Sequence, residues 1–142
     1  MRWFLLFVLL IGIALSAGCT TVNTTPPAVM SIPNLVGNWT GPMRGYDETV
    51  GYTEFSGANL TMVVIEQNDR FFSGQMSYPS KNGTLKNEEF AGVFHRDGKI
   101  FRIVEYNGGY DEGLVISEDE IEMIYMEDND PSGIEIDSLK RS

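Results

Sequence analysis

The chain has little of what most site chemistry requires. Among its 142 residues there is one cysteine, Cys19, and one histidine, His95. A lone cysteine excludes an internal disulfide, so the cross-links common in small exported domains cannot hold this one. A Ser-His-Asp triad, like most zinc sites, would have to rest on His95. That residue stands beside Arg96-Asp97-Gly98, a turn sequence in which a solvated imidazole is the simpler reading. Positive charge is scarce as well, with 10 Lys+Arg against 20 Asp+Glu and a net charge of −10. Such a surface repels phosphate backbones, which argues against nucleic acid as a partner. No stretch after Cys19 carries an apolar stripe of ten residues at helical spacing.

What is present begins with an export signal. Met1-Arg2 gives a short positive end, and Trp3 to Leu15 is an apolar run of 13 residues interrupted only by Gly12. Ser16, Ala17 and Gly18 lead into Cys19. Positive, apolar, small, cleavage is the order of a secretory signal, and the run falls short of the roughly 20 residues a membrane-spanning helix needs. Residues 1–18 therefore read as a signal peptide. Leu15-Ser16-Ala17-Gly18-Cys19 resembles the lipobox of prokaryotic lipoproteins, with Ser16 where that family prefers an aliphatic residue and Leu15 one place further out. The resemblance implies that Cys19 is lipidated, begins the mature chain and holds it at the outer face of the cell membrane. The alternatives are a plain secreted protein with an incidental cysteine, or an uncleaved N-terminal anchor. Removing residues 1–18 takes away Arg2 and no acid, leaving a net charge of −11.

Residues 19–31 comprise the anchor cysteine and a tether. Thr20 to Ser31, TTVNTTPPAVMS, has neither charge nor apolar period, and Thr/Pro composition prefers extended, solvated backbone. About ten such residues reach on the order of 30 Å. Residues 32–142 are enough for one domain with one core.

Within that domain the apolar period is 2. Phe72, Gly74, Met76 and Tyr78 alternate with Ser73, Gln75 and Ser77; Phe90, Gly92 and Phe94 follow, then Ile100, Val104 and Tyr106. Ile121, Met123 and Tyr125 form another set, and Ile134 and Ile136 face away from Glu135 and Asp137. Asn82-Gly83, Asp97-Gly98 and Asn107-Gly108-Gly109 supply turn chemistry between runs. The reading is all-β, with strands near 35–42, 58–67, 70–79, 86–95, 99–106, 112–117, 120–127 and 133–139. Short links make an antiparallel meander, and eight such strands avoid exposed edges best by closing into an up-and-down barrel. A β-sandwich is the alternative.

Gly37-Asn38-Trp39-Thr40-Gly41, opening the first strand of a meander, resembles the lipocalin and avidin type (calycin-type) barrels. The chain lacks the lipocalin Thr-Asp-Tyr signature and a terminal helix. The resemblance implies that Trp39 packs across a closed barrel end.

Candidate site residues follow from chemistry. Residues 42–57 read as a Gly/Tyr-rich insertion, and Tyr46, Tyr52 and Phe55 there, with Trp39 and with Tyr110 from a neighbouring turn, are candidates for ligand contact, since Tyr offers both a stacking face and a hydroxyl. Asp128-Asn129-Asp130 before Gly133 matches the first half of an EF-hand loop; the second half fails, because Leu139 stands in place of the bidentate Glu. An ordinary turn or a weak Ca²⁺ site using Glu127, Asp128 and Asp130 are both open. Asn23 and Asn82 are the accessible glycosylation sequons, and Asn38 and Asn59 fall in or beside strands. Glu88-Glu89, Asp111-Glu112 and Glu118-Asp119-Glu120 lie at turns or strand starts, where solvated charge is the simplest reading, so no acid pair suggests catalysis. The expected function is a non-catalytic module binding a small or apolar ligand at the barrel mouth. The alternative is a solidly packed barrel with an acidic surface that meets an envelope protein. Gaps at Gly74 and Gly92 would favour the first, and large inward side chains the second.

Overall fold

Alternating patterns become eight strands: β1 (Gly37–Asp47), β2 (Gly51–Asn68), β3 (Phe71–Pro79), β4 (Leu85–Phe94), β5 (Ile100–Glu105), β6 (Tyr110–Ser117), β7 (Glu120–Glu127) and β8 (Gly133–Arg141). They belong to a computed structural model that describes residues 31–80, 83–128 and 131–142. Cys19, Asn23, Asn82 and Asp130 lie outside the described residues. Each strand pairs antiparallel with the next, and β1 pairs with β8, so the sheet closes into an up-and-down barrel. Closure leaves no unpaired edge, which is the barrel and not the sandwich.

One expected loop is sheet. Residues 42–57 continue β1 and β2 as a long hairpin, with Arg44 opposite Glu54 and Tyr46 opposite Tyr52. Pro42 has no N–H to give to a ladder, and the register shifts between Pro42 and Arg44, as a bulge at proline would produce. Beyond it the pairing resumes, and Gly51 takes φ +77° at the hairpin tip.

The inner face is packed at one end only. Phe72, Phe90, Phe94 and Phe101 meet at ring-centroid distances of 5.6–6.1 Å, with Trp39, Val64, Ile121 and Leu139 around them. Glycines make room for these rings. A Cβ at Gly92 would come within 2.3 Å of the Phe72 ring, and one at Gly113 within 2.0 Å of Phe101. Gly74 is likewise covered by Phe90 and by the Val63 backbone. Gly74 and Gly92 are therefore seats for aromatic rings and leave no cavity of their own. Gly113→Ala is expected to destabilise the fold by about 1–3 kcal/mol through overpacking, read as a lower urea midpoint at unchanged m-value.

The strand phase differs from the sequence reading on β5. Phe101, Ile103 and Glu105 point inward, and Val104 and Tyr106 are exposed. Phe101 is the ring that fills the space at Gly113, so packing at one end chooses the face for the whole strand.

Residues 31–36 lie against the packed end. Leu35 is buried, its N–H donating to Gln67 Oε1 at 2.8 Å, while Gln67 Nε2 donates to Pro33 O. Trp39 Nε1 donates to Leu35 O at 2.8 Å. The Arg141 guanidinium lies 4.2 Å from the Trp39 ring and donates to the carbonyls of Asn34, Val36 and Glu118. It also pairs with Asp119.

Candidate functional site

Alternation carries inward-facing positions past the packed end toward the other mouth, and there the side chains turn acidic. Phe101 and Ile103 on β5 are followed inward by Glu105. On β6, Gly113 under the Phe101 ring places Asp111 inward. On β8, Leu139 in the core places Asp137 and then Glu135 on the inner face. On β4, Phe90 places Glu88. Glu105, Asp111 and Asp137 are the buried acids among the described residues.

Glu105, Asp111, Glu135 and Asp137 border a cavity of about 470 Å³ that opens at the mouth. Met43, Phe55 and Leu60 give it apolar surface, and Tyr78 and Tyr125 add aromatic rings and hydroxyls. The Tyr78 hydroxyl donates to Glu88 Oε1 at 2.9 Å, and Tyr125 bonds Glu127. Lys86 is the one cation on the wall among the described residues, and it lies 5.9 Å from the Tyr78 ring centre.

Burial among like charges keeps protons on these carboxyls. Desolvation raises Asp137 to about 7, with Glu135 adding repulsion. Asp111 rises to about 8, first through desolvation and then through Asp137, Glu135 and Glu88. Glu105 rises to about 10 through desolvation, a hydrogen bond shared with Glu88, and the charges of Asp111, Glu88 and Asp137. Tyr78 and Tyr125 are also raised, again chiefly by burial. All these causes disfavour the charged form. Near neutral pH the mouth therefore holds several carboxyl groups that can donate a hydrogen bond, or give up a proton to an arriving cation.

Of the expected ligand contacts, only Phe55 borders the cavity. Trp39 lies at the packed end, its N–H already committed to Leu35. Tyr46, Tyr52 and Tyr110 are exposed on the outer face, with Tyr46 and Tyr52 in a tilted ring contact at 5.6 Å. Cross-strand pairing joins them in one outer row, Tyr52–Tyr46–Ile134–Met126–Tyr110–Val104. Glu127 borders the cavity whereas Asp128 is exposed. Among the described residues no three His, Cys, Asp or Glu side chains are grouped so as to hold a metal. Asn38 and Asn59 are exposed on β1 and β2.

Asp111 and Glu88 differ from the solvated charges their turn-side positions suggest. The signal for the inward acids was the core period itself: counting by twos from Phe90, Phe101, Gly113 and Leu139 reaches Glu88, Glu105, Asp111 and Asp137. A carboxylate on an inward position reads as a break in the strand unless the pattern is continued through it.

No protein-family model matches the chain, and no curated protein matches it. Among solved structures it is similar to a de novo designed fluorescence-activating β-barrel, at 16% identity and a TM-score of 0.49, over 81% of this chain and 97% of that one.

Proposed function

We propose that the chain is an exported, lipid-anchored protein whose barrel binds a small ligand in its mouth without transforming it. The observation that carries this reading is the uneven filling of the barrel. One end is packed with aromatic rings, and the other holds a cavity of about 470 Å³, within the range of small-molecule sites. The mixture of an apolar side with a few convergent polar groups is also what such sites use. Lipid attachment at Cys19 rests on the leader sequence and its resemblance to the lipobox.

Native mass spectrometry of the gently purified exported chain tests the binding reading. An added mass that is lost on unfolding is the expected result, and a bare barrel from every preparation overturns it. Labelling with a radioactive fatty acid tests the anchor. Label is expected on the wild type and absent from Cys19→Ser, with the variant released from the membrane fraction; equal partition of the two proteins refutes lipidation.

A second reading, contact with an envelope protein, is favoured by the outer apolar row from Tyr52 to Val104. Crosslinking from Tyr46 or Tyr110 in intact cells would identify such a partner.

A further inference from the structure

The mouth carries unmet hydrogen-bonding capacity of a particular kind. Asp111 and Asp137 are each 2% exposed and Glu105 4%. All three border the cavity, and Asp111 Oδ2, Asp137 Oδ1 and Glu105 Oε2 have no hydrogen-bond partner. Glu88 Oε2, half-buried on β4, also has no partner. Buried polar atoms in folded proteins are nearly always partnered, because an unmet one has given up its water for nothing. Three buried acids on three strands border one space, and each keeps a carboxyl oxygen without a donor.

The surroundings select among possible donors. Asp47 from β1, Glu127 from β7 and Glu135 from β8 add acidic groups around the same space, with Tyr78 from β3, Tyr125 from β7 and Lys86 from β4 completing the titratable wall. A neutral hydroxyl would satisfy a lone pair only, whereas a cation also compensates the charge these carboxyls take on when they ionise. A bare metal ion fits poorly, since no three ligating side chains are grouped for one among the described residues and the space is far larger than an ion. Met43, paired across the β1–β8 seam with Asp137, and Phe55 and Leu60 on β2 border the same space, a surface for an apolar body, and tyrosine rings attract cations.

We infer that the mouth cavity binds an organic cation, with an ammonium or guanidinium head on Glu105, Asp111 and Asp137 and an apolar or aromatic body against Met43, Phe55 and Leu60. This rests on the proposed binding function and adds the chemistry of the ligand. Binding carries a proton balance. The cation arrives charged, a neutral carboxyl gives its proton to the buffer, and an ion pair remains.

Three probes with one ring and similar length test the inference by calorimetry on the full chain in a nonionic detergent at pH 8: phenethylamine (cationic), 2-phenylethanol (neutral) and 3-phenylpropionate (anionic). The amine is expected to bind at least about tenfold tighter than the alcohol, and the anion more weakly than either. Repeating the amine titration in buffers of different ionisation enthalpy is expected to show proton release. Asp111→Asn/Asp137→Asn is expected to lose at least about tenfold in amine affinity and to keep the alcohol's, which also reports that the variant is folded. Alcohol or anion binding as tight as the amine, without proton release, overturns the cation and leaves the binding module standing. Calcium alone binding more tightly than the amine overturns it in favour of a metal site. Failure of all three probes beside a ligand-bearing native mass spectrum overturns the cation alone; beside a bare barrel, both readings fall.

Discussion

Urea denaturation of the ligand-free protein is expected to show stability falling steadily as pH rises from 5 to 8. The sign follows from where the protons are. An unfolded carboxyl titrates near 4, whereas Asp137, Asp111 and Glu105 are raised to about 7, 8 and 10 in the fold. Between those limits the native state binds more protons than the unfolded one, so stability declines with pH. The stability these groups permit is fully present below pH 4 and is lost progressively as each folded value is approached. Each proton held only by the native state gives a slope of about 1.4 kcal/mol per pH unit. Even one across the whole interval amounts to about 4 kcal/mol, a large share of a small domain's total. Asp111→Asn/Asp137→Asn replaces two acids that ionise across this interval by amides of the same shape that do not, and is expected to flatten most of this slope and to be the more stable protein at pH 8. A variant slope equal to wild type would place the effect in general repulsion among surface acids.

The second large effect lies at the opposite end. Trp39→Ala removes a fully buried indole and its bond to Leu35 O, and is expected to cost about 3–5 kcal/mol. Arg141→Ala leaves the Asn34, Val36 and Glu118 carbonyls without this donor and uncovers the Trp39 ring, for an expected loss of about 2–4 kcal/mol. Arg141→Lys is not expected to restore it, since the planar fork reaches three carbonyls while its Cζ sits 4.2 Å over the Trp39 ring, and an ammonium cannot do both. Denaturation midpoints measure all three. Ligand affinity in whatever fraction stays folded is expected to be unchanged, because the mouth is built from the other ends of the strands. A change below about 0.5 kcal/mol for Arg141→Ala would show that this clasp contributes nothing.

How much of this was legible depends on the kind of signal. Strand positions were, because Asn-Gly and Asp-Gly turns punctuate a period-2 pattern; β7 spans Glu120–Glu127, matching the reading of 120–127. The hairpin formed by β1 and β2 was not. Gly45, Gly51 and Tyr46 look like loop composition, and only pairing with a neighbouring strand makes them sheet. The acid-lined mouth was hidden for a related reason. Glu135 and Asp137 alternate with Ile134 and Ile136, and taken alone that segment puts the isoleucines inside. The opposite phase is imposed by Leu139 at the packed end of the same strand, a long-range fact. Arg141 carried no local mark at all; its role exists only because closure brings the last strand beside the first.

That closure bears on when the barrel can form. The seam between β1 and β8 joins Trp39 to Arg141 and Thr40 to Lys140, residues about as far apart as this domain allows. Pairings across such separations pay their loop entropy before any contact rewards it, and they fold slowly. Until the final strand has been synthesised, β1 lacks one neighbour and the Trp39 ring lacks its cover. A nascent chain can hold hairpins but not the barrel. For the exported protein proposed above, this is useful timing: the polypeptide stays threadable during translocation and acquires its closed form only once β8 has crossed.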